Sequence, residues 1–117
     1  MKMKLAEIAS AIDAQNEIEQ WKDIEVTSVS FDSRHLEPGA LFIPLQGAHD
    51  GHQYVETAFT NGAAASLWSS DHELTDQSHP ILVVTDPLKA LQRLGKYYLH
   101  KINPIVVAVM VRLRLRI

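Results

Sequence analysis

The chain has no cysteine, which removes a disulfide framework and any thiolate-bound metal site. Long hydrophobic runs are also missing. The longest uncharged apolar stretch, Ile105 to Val111, falls far short of the roughly 18 residues a membrane-spanning helix needs, and the first ten residues lack a signal-peptide core. With only five glycines and five prolines, the sequence is neither collagen-like nor low-complexity. Basic residues are scarce through most of it: residues 1–109 hold 8 Lys and Arg against 14 Asp and Glu, a net of −6. Such a body argues against general nucleic-acid binding, which requires a basic face. The three arginines that follow, Arg112, Arg114 and Arg116, are too few to reverse that. What is present, 46% hydrophobic residues in 117, suits one domain with a real core. The expectation is a cytoplasmic protein with no membrane insertion.

Periodicity organises the rest. Leu5, Ile8, Ala9 and Ile12 predict a short amphipathic helix ending between Asp13 and Asn16. Ile24 to Phe31 is rich in β-branched residues, but its alternation changes phase near Thr27, which predicts a strand with a bulge. Pro38-Gly39 signals a turn before a second strand, Ala40 to Leu45, and Gln46 to Gly51 reads as a loop. Tyr54, Val55, Ala58 and Phe59 have helical spacing, with Asn61-Gly62 as a left-handed stop. A third strand is predicted over Ala63 to Trp68, a long polar loop over Ser69 to Pro80, and a strand covered on both faces over Ile81 to Thr85. Asp86 and Pro87 stand where an N-cap and a first-turn proline belong, opening a helix to about His100. Asn103-Pro104 breaks it, and Ile105 to Val109 is another buried strand. Alternating strands and helices make the class α/β, in a single small domain.

Two polar clusters could carry chemistry. In Gly47-Ala48-His49-Asp50-Gly51-His52, between a strand and a helix, two glycines let backbone N–H groups line an anion-binding concavity; a purely glycine-shaped connection is equally compatible. A metal site on His49, Asp50 and His52 is disfavoured, because neighbouring loop residues seldom converge on one ion. In Phe31-Asp32-Ser33-Arg34, Asp32 is suited to capping the turn, Ser33 offers a hydroxyl, and Arg34 a planar fork for a carboxylate or phosphate. No catalytic triad can be argued from these residues. Trp68, Tyr97 and Tyr98 read as packing groups.

These clusters, in this order, resemble the N-terminal domain of the Mur ligases, the ATP-dependent amide ligases of peptidoglycan synthesis. The matching strings are Val29-Ser30-Phe31-Asp32-Ser33-Arg34, Pro38-Gly39-Ala40-Leu41-Phe42-Ile43-Pro44-Leu45, Gly47-Ala48-His49-Asp50-Gly51-His52-Gln53-Tyr54, and Ala58 with Asn61-Gly62-Ala63. They are similar to the tripeptide-forming (MurE) and D-alanyl-D-alanine-adding (MurF) branches. Leu5-Ala6-Glu7-Ile8-Ala9 and Asp86-Pro87-Leu88-Lys89-Ala90-Leu91-Gln92 look most like the latter. The resemblance implies a domain that holds the UDP end of a UDP-N-acetylmuramoyl-peptide. Ser33, Gly47, Ala48 and His49 match the nucleotide contacts, and Asp32, Arg34, Asp50 and Gly51 match residues that shape the site. No catalytic or metal-binding residue is implied in this chain, since ATP and Mg2+ belong to a central domain.

By the same resemblance, residues 1–104 form the recognition domain and 105–109 the first strand of the central domain. In the family that strand runs into a Gly-Lys-Thr phosphate loop. Here Met110 to Ile117 follows, a basic tail without glycine, lysine, serine or threonine. The chain alone is therefore expected to be inactive, with no cofactor of its own. The tail reads as a frameshifted end, a cut chain or a natural short form. A competing reading makes the chain a noncatalytic interaction module that self-associates through this tail.

Overall fold

The computed structural model describes residues 2–45, 51–74 and 78–102. Leu5, Ile8 and Ile12 are the buried side of helix α1 (Leu5–Ile12), which stops where Asp13 turns left-handed at φ 57°. Aspartate tolerates that region better than most residues. α1 has no side-chain N-cap. Instead, strand β1 (Met3–Lys4) pairs antiparallel with β2 (Glu25–Val26), and the pairing runs on into the helix. The N–H groups of Leu5 and Ala6 donate to the carbonyls of Ile24 and Lys22 at 2.8 and 3.0 Å, satisfying two of the donors that a helix start leaves open.

The expected single strand with a bulge near Thr27 is two strands in two sheets. β2 belongs to the ribbon with β1, whereas β3 (Ser28–Ser30) begins a four-stranded sheet. The phase change at Thr27 is the step between them: Val26 is buried in the main core and Val29 packs against that same core, one from each sheet.

The main sheet is wholly parallel and in chain order: β3, β4 (Ala40–Phe42), β5 (Ala65–Ser69) and β6 (Ile81–Val84). Strand alternation assigns its faces. Leu41, Ile43, Ala65, Leu67, Leu82 and Val84 join one core with Leu5, Ile8 and Ile12 of α1 and with Ala90 and Leu94 of α3 (Pro87–Ile102). Phe42 joins a second core with Val55 and Ala58 of α2 (Val55–Thr60), and Leu36, Phe59, Ala63 and Trp68 pack around it. Helices thus cover both faces, as the continuous apolar run in β6 implied. The fold is the small α/β domain expected from the sequence.

Turn chemistry sets the connections. In Glu37-Pro38-Gly39-Ala40, the Ala40 N–H donates to the Glu37 carbonyl at 3.1 Å and Gly39 takes φ +90°, as a type II turn requires. A Cβ there would lie 2.8 Å from Thr27 Oγ1. α2 ends on Gly62 at φ +109°, and the Ala63 N–H returns to the Ala58 carbonyl at 3.0 Å. Asn61 does not share the left-handed role expected of it. It stays at φ −92°, and its side-chain amide donates to the Ser33 carbonyl at 2.9 Å. Asp86 caps α3: its Oδ1 accepts from the N–H groups of Leu88 and Lys89 at 2.9 and 3.3 Å.

Several boundaries move. β4 stops at Phe42 because Pro44 brings no N–H to a ladder. Gly51 leaves the predicted loop and opens a 3-10 turn (Gly51–Tyr54) ahead of α2. β5 starts at Ala65, after the Gly62 turn has brought the chain back beside β4. α3 continues to Ile102, two residues past the predicted end, within the usual fraying of helix termini. The Asn103-Pro104 break, the strand at Ile105–Val109, the boundary at 104 and the tail at 110–117 lie outside the described residues.

α1 and α3 are tied by charge at their exposed seam. Glu7 accepts from Lys101 Nζ at 2.8 and 3.0 Å and from the Tyr97 hydroxyl at 2.9 Å. The Lys101 ammonium, then the Tyr97 hydroxyl, hold the Glu7 carboxyl below the usual carboxylate range. A folded-state pKa below the unfolded one contributes stability above the ordinary glutamate range, and that contribution is lost as pH falls through the folded value. Melting temperature measured against pH should therefore fall more steeply at the acid end for the native chain than for Glu7→Gln. Parallel acid limbs for the two would refute the coupling.

Candidate functional site

In parallel sheets the carboxyl ends of the strands are where ligands settle, because the chain leaves the sheet there and opens a crevice. Here a cleft of about 360 Å³ lies at that end of β4, β5 and β6. Pro44 and Leu45 follow β4, Ser69 ends β5, and Thr85 and Asp86 follow β6. Pro87 and Leu88 open α3, and His52 comes from the 3-10 turn before α2. Asp71 completes the lining.

His52 is nearly buried, and its role follows from its partners. Nε2 accepts the Ser69 backbone N–H at 2.8 Å, so that nitrogen is the unprotonated one. The ring stacks on His72 with centroids 3.8 Å apart and meets the Trp68 edge at 4.7 Å. Trp68 Nε1 in turn donates to the His72 carbonyl at 3.1 Å. Asp71 Oδ1 accepts from the Ser69 hydroxyl and lies 2.7 Å from His72 Nδ1. The Ser69 hydroxyl first, and His72 second, lower the Asp71 carboxyl below its ordinary range. Behind His52 and Trp68 a second depression of about 410 Å³ includes Glu56 and His79.

The cleft carries two carboxylates, Asp71 and Asp86, and no lysine or arginine among its described lining residues. That balance suits a neutral group rich in donors, such as sugar hydroxyls or a base N–H, and repels a bare phosphate. Among the described residues, no group of three or more His, Asp or Glu is placed to hold a metal ion, and no helix is long and apolar enough to cross a membrane.

The residues singled out in the sequence fall in different places. Ser33 is 6% exposed and does not line the cleft; its carbonyl is held by Asn61 across the crossover between β3 and β4. Asp32 Oδ1 accepts the Arg34 N–H at 2.9 Å and lies 3.5 Å from Arg34 Nε. The Arg34 backbone N–H is the main reason the Asp32 carboxyl sits below its usual range. The exposed Arg34 thus turns its fork back on its own loop. Gly47, Ala48, His49 and Asp50 lie outside the described residues, and Gly51 opens the 3-10 turn. Leu45, the last described residue before that stretch, and His52, two residues after Asp50, both line the cleft. Sequence reading missed Ser69, Asp71, Thr85 and Asp86 as one group. The available signal was that each stands at or just past a predicted strand end.

The model for the Mur ligase family, catalytic domain, matches residues 25–99. The UDP-N-acetylmuramoyl-tripeptide–D-alanyl-D-alanine ligase of Bacillus subtilis (strain 168) is 41% identical over 91 residues, covering 77% of this chain and 20% of its own length. The UDP-N-acetylmuramoyl-L-alanyl-D-glutamate–2,6-diaminopimelate ligase of Mesorhizobium japonicum is 33% identical over 108 residues, 92% of this chain and 22% of its own length. A crystal structure of MurF from Acinetobacter baumannii superposes with a TM-score of 0.70 at 26% identity, covering 83% of this chain and 21% of that one. The chain thus spans about a fifth of the length of the relatives it matches.

Proposed function

This chain belongs to the Mur ligase family, and from that premise we propose that it is the substrate-recognition part of a ligase that extends the peptide of a UDP-N-acetylmuramoyl precursor of peptidoglycan. The carrying observation is the cleft at the carboxyl ends of β4 to β6, lined by Leu45 and His52 from either side of residues 46–51. Relatives of both branches are named for UDP-N-acetylmuramoyl substrates. The D-alanyl-D-alanine-adding branch is the preferred reading, supported by the 41% identity to the Bacillus subtilis ligase. The diaminopimelate-adding branch is the second, supported by a match over 92% of the chain.

In this reading the loop of Gly47, Ala48 and His49, together with Ser33, contacts the UDP part. Asp32, Arg34, Asp50 and Gly51 hold the shape of the two turns. The acidic cleft receives uncharged, hydroxyl-bearing portions of the substrate, where Asp71 and Asp86 accept hydrogen bonds. The protein works in the cytoplasm. ATP and Mg2+ serve the whole ligase, but the described residues do not fit them: the cleft lacks a cation for phosphates, and no metal-ligand group is assembled. The chain's own residues bind and orient; they carry no step of the ligation.

Calorimetric titration with UDP-N-acetylmuramoyl-tripeptide should give saturable binding. Ser33→Ala and His49→Ala should each weaken it about tenfold, the scale of one hydrogen bond to a charged group. Binding left unchanged by both substitutions would remove these residues from the site.

A further inference from the structure

α3 carries charge that the rest of the fold leaves unused. Pro87–Ile102 has four Lys or Arg residues and no acid, while the other described residues carry four Lys or Arg against twelve Asp or Glu. Outside α3, every described lysine or arginine has a carboxylate partner: Lys2 with Glu25, Lys4 with Asp23, Lys22 with Glu19 and Arg34 with Asp32. On α3 only Lys101 has one, in Glu7. Lys89, Arg93, Lys96 and His100 have no ion-pair partner among the described residues, and all are exposed. Their spacing of four, three and four residues puts them on one face, a stripe about 16 Å long at 1.5 Å per residue.

Helix stability does not account for this stripe. Cations favour the last turn of a helix and are disfavoured in the first, yet Lys89 stands in the first turn of α3. The stripe borders a shallow groove of about 560 Å³ between α3 and α1, lined by Ala11, Arg93, Lys96, Tyr97, His100 and Lys101. Tyr97 is 38% exposed, and its hydroxyl is bound to Glu7, so its ring and Ala11 supply apolar surface while Arg93 and Lys96 supply the cationic rim.

We propose that this groove is a docking surface for an amphipathic acidic segment of a protein partner, its apolar side chains against Tyr97 and Ala11 and its carboxylates on Lys89, Arg93 and Lys96. Recognition of this kind combines an apolar groove with charge of opposite sign. Nucleic acid and anionic membrane fit less well. Either presents an extended anionic surface that would meet the acidic remainder of the domain, whereas a single peptide segment touches the stripe alone. The site is separate from the cleft at the sheet's carboxyl ends, with which it shares no lining residue.

The test uses the full chain and a fluorescent synthetic peptide of about four helical turns with Glu on one face and Leu on the other. Saturable binding is expected at low salt, weakening as ionic strength rises. The triple variant Lys89→Glu, Arg93→Glu, Lys96→Glu should bind at least about tenfold more weakly, and the variant with glutamine at the same three positions should fall in between. All three positions are exposed, so melting curves of the variants should match the native chain and separate lost docking from lost folding. Three outcomes would overturn the proposal: no saturable binding, equal binding by the charge-reversed variant, or tighter binding of a DNA duplex or phosphatidylserine vesicles than of the peptide.

Discussion

Phe42→Ala should remove about 3–5 kcal/mol of folding stability, the range for emptying a buried aromatic site. Phe42 is 1% exposed and lies in the inner strand β4, where it is the largest side chain of the second core. Among the described residues, the other buried members of that core are Val55 and Ala58, both from α2. A helix of six residues has too few internal hydrogen bonds to persist unaided, so α2 depends on this contact. The substitution should therefore do more than lower the urea midpoint: α2 amides should exchange faster than those of β5 and β6. Phe42→Leu, which keeps most of the volume, should cost less than about 1.5 kcal/mol. An alanine variant within about 1 kcal/mol of the native chain would mean that α2 is held by something else.

Asn16→Ala should cost about 1–2 kcal/mol, although Asn16 lies in no regular element. Its side chain acts as a piece of strand against the outer edge of β6. Nδ2 donates to the Ile81 carbonyl and Oδ1 accepts the Val83 N–H, each at 2.8 Å. The neighbouring Gln15 N–H donates to the Val83 carbonyl at 2.8 Å, and its amide reaches Thr85 Oγ1 at 3.0 Å. Truncation leaves two edge groups of β6 open, and an open parallel edge invites a second strand. Thermal melting should show the loss, and light scattering at high concentration should show self-association absent from the native chain. A stability change within about 0.5 kcal/mol, the scatter of ordinary surface substitutions, would show that water replaces the amide without cost.

Both effects rest on features of different legibility. Phe42 stood inside a predicted strand, and period-two alternation already opposed it to Leu41 and Ile43. Asn16 gave no signal, because its bonds cross 65 and 67 residues of sequence to a strand whose place at the sheet edge is a matter of topology. The same contrast runs through the site. Asp86 as a helix cap and Pro38-Gly39 as a turn depend on neighbours within four residues, and both were readable. The grouping of His52 with Ser69, Asp71 and Thr85 depends on parallel strand order, and it was not. Asn61 shows the limit of local rules: a residue that tolerates the left-handed region keeps an ordinary φ when its amide finds the Ser33 carbonyl across the fold.

The sequence by itself determined the α/β class, the main helices and strands, the turn glycines, the acidic body and the family. These follow from side-chain periodicity, backbone preference and short motifs, all of which act over a few residues. Tertiary structure alone decided that the phase change at Thr27 is a change of sheet, that Asn16 closes an edge, and that Ser33 stands away from the cleft. It also showed that Lys89, Arg93 and Lys96 of α3 lack the carboxylate partners that the other described lysines and arginines have. Those facts depend on which strand lies beside which, and strand order is set by burial of both sheet faces together, a balance summed over the whole chain that no local pattern carries.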